Sequence, residues 1–425
     1  MIPVTHFPFA YVGPGAGFAF LGSFLSLVLS LLASVASLLL WPFRVLAAML
    51  RRKRGMKAAR VKRVIVVGFD RFDKALAEKL MEEGKLPYLR RLRDEGSYRR
   101  LRVSSAEEWS DFATGVVGLG VLSEPFWKIL GRHAVGSTIL RVPFTHRPGE
   151  FGGRLLALVD SQDVSGRQGF SLFTKRPVDR DFEHGDRFPL LEADGVLHGE
   201  LCGPGGEIPF QIQDFAGDQQ LEIQGWAYAL RPREFTEWIR VKFAGGHRIV
   251  RFALLRVGDD FSLYATPLQI DPEKASTPIS QPPYYAAYLA KLLGPFATLG
   301  NVPDSWALRE GAIDEELFRK LVKAAEREDE AIYLSALDHQ DGGVLACVFG
   351  PGRNVADIDR LVGETLDRAH GEAAVFVLSS EGAVFSNWKL DAADPGMEDV
   401  APTVLGLFGI AVPEWMEGKP VIHFA

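Results

Sequence analysis

The sequence predicts an α/β protein: a central, mostly parallel sheet, a β-rich insertion and an N-terminal transmembrane helix. Three observations carry this. Short uninterrupted apolar runs near both ends of the chain, Val64–Val67, Val344–Phe349 and Ala373–Ser379, read as strands buried on both faces. Helical patterns alternate with them, as in βαβ units. Between about 150 and 275 the composition shifts to Gly, Pro and short alternating runs, which read as antiparallel strands seated on the α/β core.

The chain has 425 residues, 47% of them hydrophobic, enough for one large α/β domain with an insertion or for two domains. A net charge of −6 gives no argument for a nucleic-acid partner, and none is expected. Cys202 and Cys347 are far apart, lie in apolar β-like runs and lack the spacing of a metal site, so they read as free buried thiols.

Residues 1–17 form a lead-in. Its Gly13-Pro-Gly-Ala-Gly17 lacks the strand and lysine of a phosphate loop. Residues 18–50 read as a membrane anchor. The 23 residues from Phe18 to Leu40 carry no charge. As a helix they span roughly 34 Å, against about 30 Å for a bilayer core. Trp41 and Phe43 stand where interfacial aromatics belong. No Lys or Arg precedes Arg44 and no acidic residue precedes Asp70, so the positive charge follows the apolar run, unlike that of a cleaved signal peptide. Arg51, Arg52, Lys53 and Arg54 open a basic linker (51–63) that suits anionic headgroups. The positive-inside rule then makes this a single-pass inner-membrane protein with its main domain in the cytoplasm. A re-entrant hairpin around Pro42 is the alternative.

The domain over 64–425 opens with a strand, Val64–Phe69, that ends on Asp70, the position where open α/β sheets bind ligands. Helices follow over Asp73–Glu83, stopped by Gly84, and Pro87–Glu95, stopped by Gly96. Ser105 comes just before a helical pattern at Trp109–Val117, another helix fits Pro125–Leu130, and Gly136–Val142 reads as a strand. Glu107-Glu108 at a helix start suits the helix dipole better than an acid pair. The insertion holds alternating runs at Phe210–Phe215, Leu221–Ala229, Glu237–Phe243, Ile249–Val257 and Phe261–Ile270. Helices return at Pro283–Leu293, Asp314–Leu337, Asp357–Ala369 and Asp399–Leu407. An Asp and a hydroxyl delivered by the strand tip and the segment after it are the opening pieces of a metal-assisted phosphoryl or sulfuryl transfer site.

Taken in order, several segments resemble the type I phosphodiesterase/nucleotide pyrophosphatase branch of the alkaline phosphatase superfamily. They are Val64–Asp70, Glu83–Gly96, Trp109–Gly115, Arg141-Val-Pro143, Gly166-Arg-Gln-Gly169, Pro278–Pro283, Trp306-Ala-Leu308, Asp399–Pro413 and Met416–Pro420, covering about residues 62–422. The resemblance implies an alkaline-phosphatase-like sandwich and a two-zinc site. Asp70 would be the first metal-binding carboxylate and Ser105 the nucleophile. Other positions depart from the family pattern. The Asp expected after one strand is replaced by Gly350-Pro-Gly352, with Asp357 at the later ligand position. The Asp-His-Gly after another appears as Ser380-Glu381-Gly382. The Asn-Pro-Gly-Lys-His-Gly segment is replaced by Val116–Val121. The small residue after the first Asp is Arg71, which could fill the vacated pocket by pairing with Asp70 or Glu381. None of the nine histidines falls at a matching position.

The expectation is therefore a membrane-anchored pseudoenzyme without a cofactor, acting as a scaffold or partner-binding module, with the bilayer and a protein partner or active paralogue as partners. Two alternatives stay open. One is an enzyme using Mg²⁺ or Mn²⁺ (or Zn²⁺) with Asp70, Asp357 and Glu381 as oxygen ligands. The other is a phosphate- or sulfate-binding protein built on a helix N-terminus near Ser105. Domains of the resembled family are often extracytoplasmic, so the side of the membrane also stays open.

Overall fold

The computed structural model describes residues 59–104, 108–118, 123–145, 149–159, 169–176, 181–215, 217–300, 302–369, 371 and 373–422, together with Val28, Ser30 and Leu32. The chain divides into Met1–Lys57 and Ala58–Ala425. In the first unit Val28, Ser30 and Leu32 are helical; the rest of the expected anchor, including Arg51–Arg54, lies outside the described residues. Among the described residues no helix is long and apolar enough to cross a membrane.

In the second unit, β1 (Arg63–Phe69) is buried along its whole length, the mark of a central parallel strand. Helix α1 (Lys74–Glu82) starts where Asp73 accepts the Leu76 N–H at 2.9 Å. Helix α2 (Pro87–Glu95) has Pro at its first position and no side-chain cap of its own. Then follow β2 (Ser97–Arg100), α3 (Glu108–Thr114), α4 (Phe126–Arg132), β3 (Ser137–Leu140) and β4 (Arg154–Leu156).

The β-rich part runs through β5 (Phe170–Thr174), β6 (Gly185–Pro189), β7 (Leu191–Ala193), β8 (Val196–Gly203), β9 (Gly206–Phe215) and β10 (Asp218–Ile223). It continues through β11 (Trp226–Leu230), β12 (Ile239–Phe243), β13 (Gly246–Val250), β14 (Phe252–Arg256), β15 (Ser262–Ala265) and β16 (Gln269–Ile270). The chain returns through β17 (Ser280–Gln281), α5 (Tyr285–Leu293), α6 (Ser305–Arg309), α7 (Glu315–Asp338), β18 (Gly343–Phe349), α8 (Val355–Ala369), β19 (Ala373–Ser379), β20 (Ala383–Ser386) and α9 (Val400–Leu407).

The main sheet has eight strands in the order β17-β4-β3-β18-β1-β19-β20-β2. Its five central strands, β4 to β19, are parallel, and the flanking pairs are antiparallel. This is the mostly parallel sheet the apolar runs predict. Strand β1 lies in register with Gly343–Phe349 on one side and Ala373–Ser379 on the other. Helix α7 packs on β18 and α8 on β19. Asp359 of α8 is buried and accepts the N–H groups of Tyr88 and Leu89 at 3.1 and 2.8 Å, capping α2 from a distant part of the sequence.

The expected insertion begins later than about 150, because β4 belongs to the main sheet. Strands β5–β16 form a four-stranded sheet (β14-β15-β5-β6), a five-stranded sheet (β11-β10-β9-β8-β7) and a three-stranded sheet (β12-β13-β16). Only β5 and β6 in this part pair in parallel. The runs read as single strands at Leu221–Ala229 and Ile249–Val257 are each two strands. The first breaks at Gln224-Gly225, whose positive φ values of 51° and 80° make a tight hairpin turn. Inner faces of these sheets bury Phe173, Leu221, Val241, Phe252 and Leu263 in a core of their own.

Helix α7 ties the main core to the β-rich part: Ile332 and Tyr333 lie in the main core, and Leu317 packs in a small cluster with Phe170, Leu172 and Tyr264. Asp314 caps it by accepting the Leu317 N–H at 3.1 Å. Midway along, Glu328 accepts hydrogen bonds from Trp238 Nε1 and an Arg251 N–H, both at 2.7 Å, and from the Ala297 backbone N–H at 2.9 Å. Neither charged side chain of that pair is more than 14% exposed.

Candidate functional site

The C-terminal ends of β18, β1 and β19 form a row, each strand continuing one residue beyond its ladder. The Asp70 N–H donates to the Phe349 carbonyl at 3.0 Å, and the Ser380 N–H donates to the Phe69 carbonyl at 3.2 Å. Phe69 and Phe349 stack at 5.4 Å beneath the tips. The row therefore presents Gly350, Asp70 and Ser380 side by side. The Ser380 hydroxyl donates to Asp70 Oδ1 at 2.9 Å and accepts the Arg71 backbone N–H at 3.0 Å. Arg71 turns the chain away with φ of +56°.

Helix α3 reaches the row because Gly68 has no side chain. A Cβ there would lie 2.3 Å from the Trp109 indole, so the ring can rest directly on β1. The far end of α3 is held by the C-terminal segment. The N–H groups of Glu417 and Gly418 donate to the Gly115 carbonyl at 2.8 and 3.1 Å, and Asp111 accepts the Gly118 N–H at 2.8 Å. Seated this way, α3 brings Glu108 within reach of the charge of Asp70. Asp111 is fully buried. Burial, followed by the nearby negative charges of Asp70 and Asp111, raises the Glu108 carboxyl above the usual glutamate range.

Asp70 and Ser380 are thus brought together, with Glu108 near enough for the charge of Asp70 to act on it. Ser105 lies outside the described residues. Asp357 sits in the first turn of α8, where its N–H donates to Asn354 Oδ1 at 2.9 Å and its carboxylate accepts from the Asn354 amide, so it serves a helix start. Glu381 is exposed, and its backbone N–H donates to Ser379 Oγ at 3.0 Å. The Arg71 side chain is exposed and, among the described residues, forms no ion pair; only its backbone touches the Asp70–Ser380 pair. Cys347 is buried, and Cys202 is partly buried with its thiol donating to Glu207 at 3.4 Å.

Positive charge near the row comes from another quarter. A cleft of about 610 Å³ opens beside Ser380, between Lys74 and the Arg100–Val103 segment on one side and Ser380–Gly382 on the other. Arg102 is engaged by the nearly buried carboxylate of Glu398 and by Asp394, which also lines the cleft. Lys74 lies over the Tyr98 ring. The sequence reading missed this cleft because Lys74, Arg100 and Ser380 meet only through the pairing of β2 with β20 and β20 with β19.

Among the described residues no group of three His, Cys, Asp or Glu side chains is placed to hold a metal ion. The residues at the row do not fit a two-zinc centre. Gly350 offers no side-chain ligand, and Ser380 offers a hydroxyl already bonded to Asp70. Histidines elsewhere are otherwise engaged: His184 bonds Glu310 at 2.8 Å and stacks on Trp306, and His339 contacts the Ser335 carbonyl at 2.7 Å.

No family model matches the chain, and no curated protein matches it. Among solved structures it pairs with the one titled "Structure of BT4656 in complex with its substrate D-Glucosamine-2-N, 6-O-disulfate". The identity is 11% and the TM-score 0.34, covering 85% of this chain and 79% of that one.

Proposed function

We propose that the chain is a membrane-anchored, catalytically inactive domain of the alkaline-phosphatase type that acts as a scaffold or partner-binding module. One observation carries the reading: the Ser380 hydroxyl donates to Asp70 at the strand tips. That bond engages one oxygen of the carboxylate which the resemblance assigns to a metal, and it comes from a hydroxyl at the position where the family pattern has a metal-binding Asp. A divalent cation there would need further ligands that Gly350 and the Ser380 hydroxyl do not supply. The anchor rests on the apolar run Phe18–Leu40, and the cytoplasmic placement on the basic cluster after it.

The test is metal content and turnover of the purified full chain. Expected are less than about 0.1 equivalent of bound zinc, after dialysis against micromolar zinc, and no hydrolysis of a generic phosphodiester or sulfate ester above a heat-treated control. Stoichiometric metal together with turnover would overturn the proposal.

A second reading, a Mg²⁺- or Mn²⁺-dependent enzyme, has one observation in its favour: Glu108, raised chiefly by its burial, also feels the negative charge of Asp70. Oxygen-only sites suit those ions. It requires hydrolysis that appears with added Mn²⁺ and disappears in Ser105→Ala.

A further inference from the structure

We propose that the chain forms a two-fold dimer in which β11 pairs antiparallel with β11 of a second copy. Strand β11 ends the five-stranded sheet, and no strand covers its outer edge among the described residues. Proteins commonly protect such edges with charge. The opposite edge, β7, carries Glu192, bound to Lys175 at 2.7 Å. In contrast, Trp226-Ala-Tyr-Ala-Leu230 carries no charge at all.

The hairpin turn fixes which backbone groups face outward. A two-residue loop closes on a hydrogen-bonded pair, here Ile223 and Trp226. Antiparallel pairs alternate, so Tyr228 and Leu230 also spend their groups on β10, while the N–H and C=O of Ala227 and Ala229 point away from it. The strand is symmetric about Tyr228. Antiparallel pairing centred on that residue sets Ala227 against Ala229 of the second copy, and Ala229 against its Ala227. All four outward groups of each strand then meet partners, giving four inter-copy hydrogen bonds. A register shifted by one residue would leave them facing side chains or water.

The side chains match the same register. Trp226, Tyr228 and Leu230 lie on one face, alongside Leu221 and Ile223, which are buried. Leu230 is 3% exposed, while Trp226, on the same face, is 70% exposed. Two-fold pairing places Trp226 across from the second copy's Leu230, so the inner apolar face continues from one sheet into the next. Tyr228 meets its own counterpart, and the small Ala227 and Ala229 lie on the other face.

The test uses the full chain in detergent, in a Cys202→Ser background. Tyr228→Cys is expected to give a covalent dimer on mild oxidation, because directly opposed residues of a non-hydrogen-bonded pair lie about 4.5 Å apart at Cα. Ala227→Pro removes an N–H that the single copy does not use. It should leave the melting temperature unchanged and raise the dimer dissociation constant about tenfold or more by sedimentation. Association through the apolar N-terminal run would be untouched by that variant, so an unchanged dissociation constant in Ala227→Pro overturns the proposal. So does failure of a folded Tyr228→Cys to crosslink, and so does a strand occupied by a peptide of another protein while the chain stays monomeric.

Discussion

The hydroxyl of Ser380 and the carboxyl of Glu108 show how single groups set the character of the strand-tip row. Ser380 supplies a hydrogen bond to Asp70, whereas Glu108 is a half-buried carboxyl beside the negative charges of Asp70 and Asp111. Glu108 holds its proton to higher pH in the folded chain than in the unfolded one. Its contribution to stability therefore falls as pH rises from 4.5 through the raised value, and the penalty is complete above it. Glu108→Gln removes that penalty. The variant should match the parent below pH 4.5 in urea unfolding and exceed it at pH 7 by about 0.5 kcal/mol, solvent screening keeping the gain small. The strand-tip position of Asp70 was legible because an apolar run ending in a carboxylate marks the end of a buried strand. Ser380 was legible only by alignment to a family pattern. The contribution of Glu108 could not be read, because it depends on an indole resting over Gly68.

Helices and strands that carry their own signals were read closely. The Asp314-Glu-Glu start, the apolar run of β18 and the amphipathic α8 fall within a residue or two of the sequence reading. Short elements were not. Strands β2, β4, β17 and β20 hold four residues or fewer and take their form from neighbours in the sheet. The turn at Gln224-Gly225 was overlooked because Gln is an uncommon residue for its left-handed position. Helix α7 shows a different limit. The sequence reading gives only its helical extent, whereas in the fold Glu328 is buried against Arg251 and Trp238. Glu328→Ala would leave the Arg251 charge and the Ala297 N–H without their acceptor and should cost about 3–5 kcal/mol in denaturant unfolding. Glu328→Gln, which keeps an oxygen for one of the donors, should cost clearly less.

At the scale of the molecule, the α/β class, the parallel sheet and the β-rich middle were legible, because each follows from periodicity over long stretches. The order of strands was not, since the sequence holds no record of which run lies beside which. That order has a kinetic side. Both neighbours of β1 come from the last third of the chain, and β1 is the first strand made. Such distant pairing slows folding, so dilution from urea should restore native tryptophan fluorescence over seconds or longer, even with the full chain present. On a ribosome the delay is imposed rather than chosen. Strand β1 ends at residue 69 and β18 begins at 343, so at about 5–20 residues per second the wait for that first partner is roughly 15–55 s. Throughout that interval Val64-Ile-Val-Val67 has no sheet to join, and a nascent chain of this kind depends on whatever shelters an adhesive segment until its termini can meet.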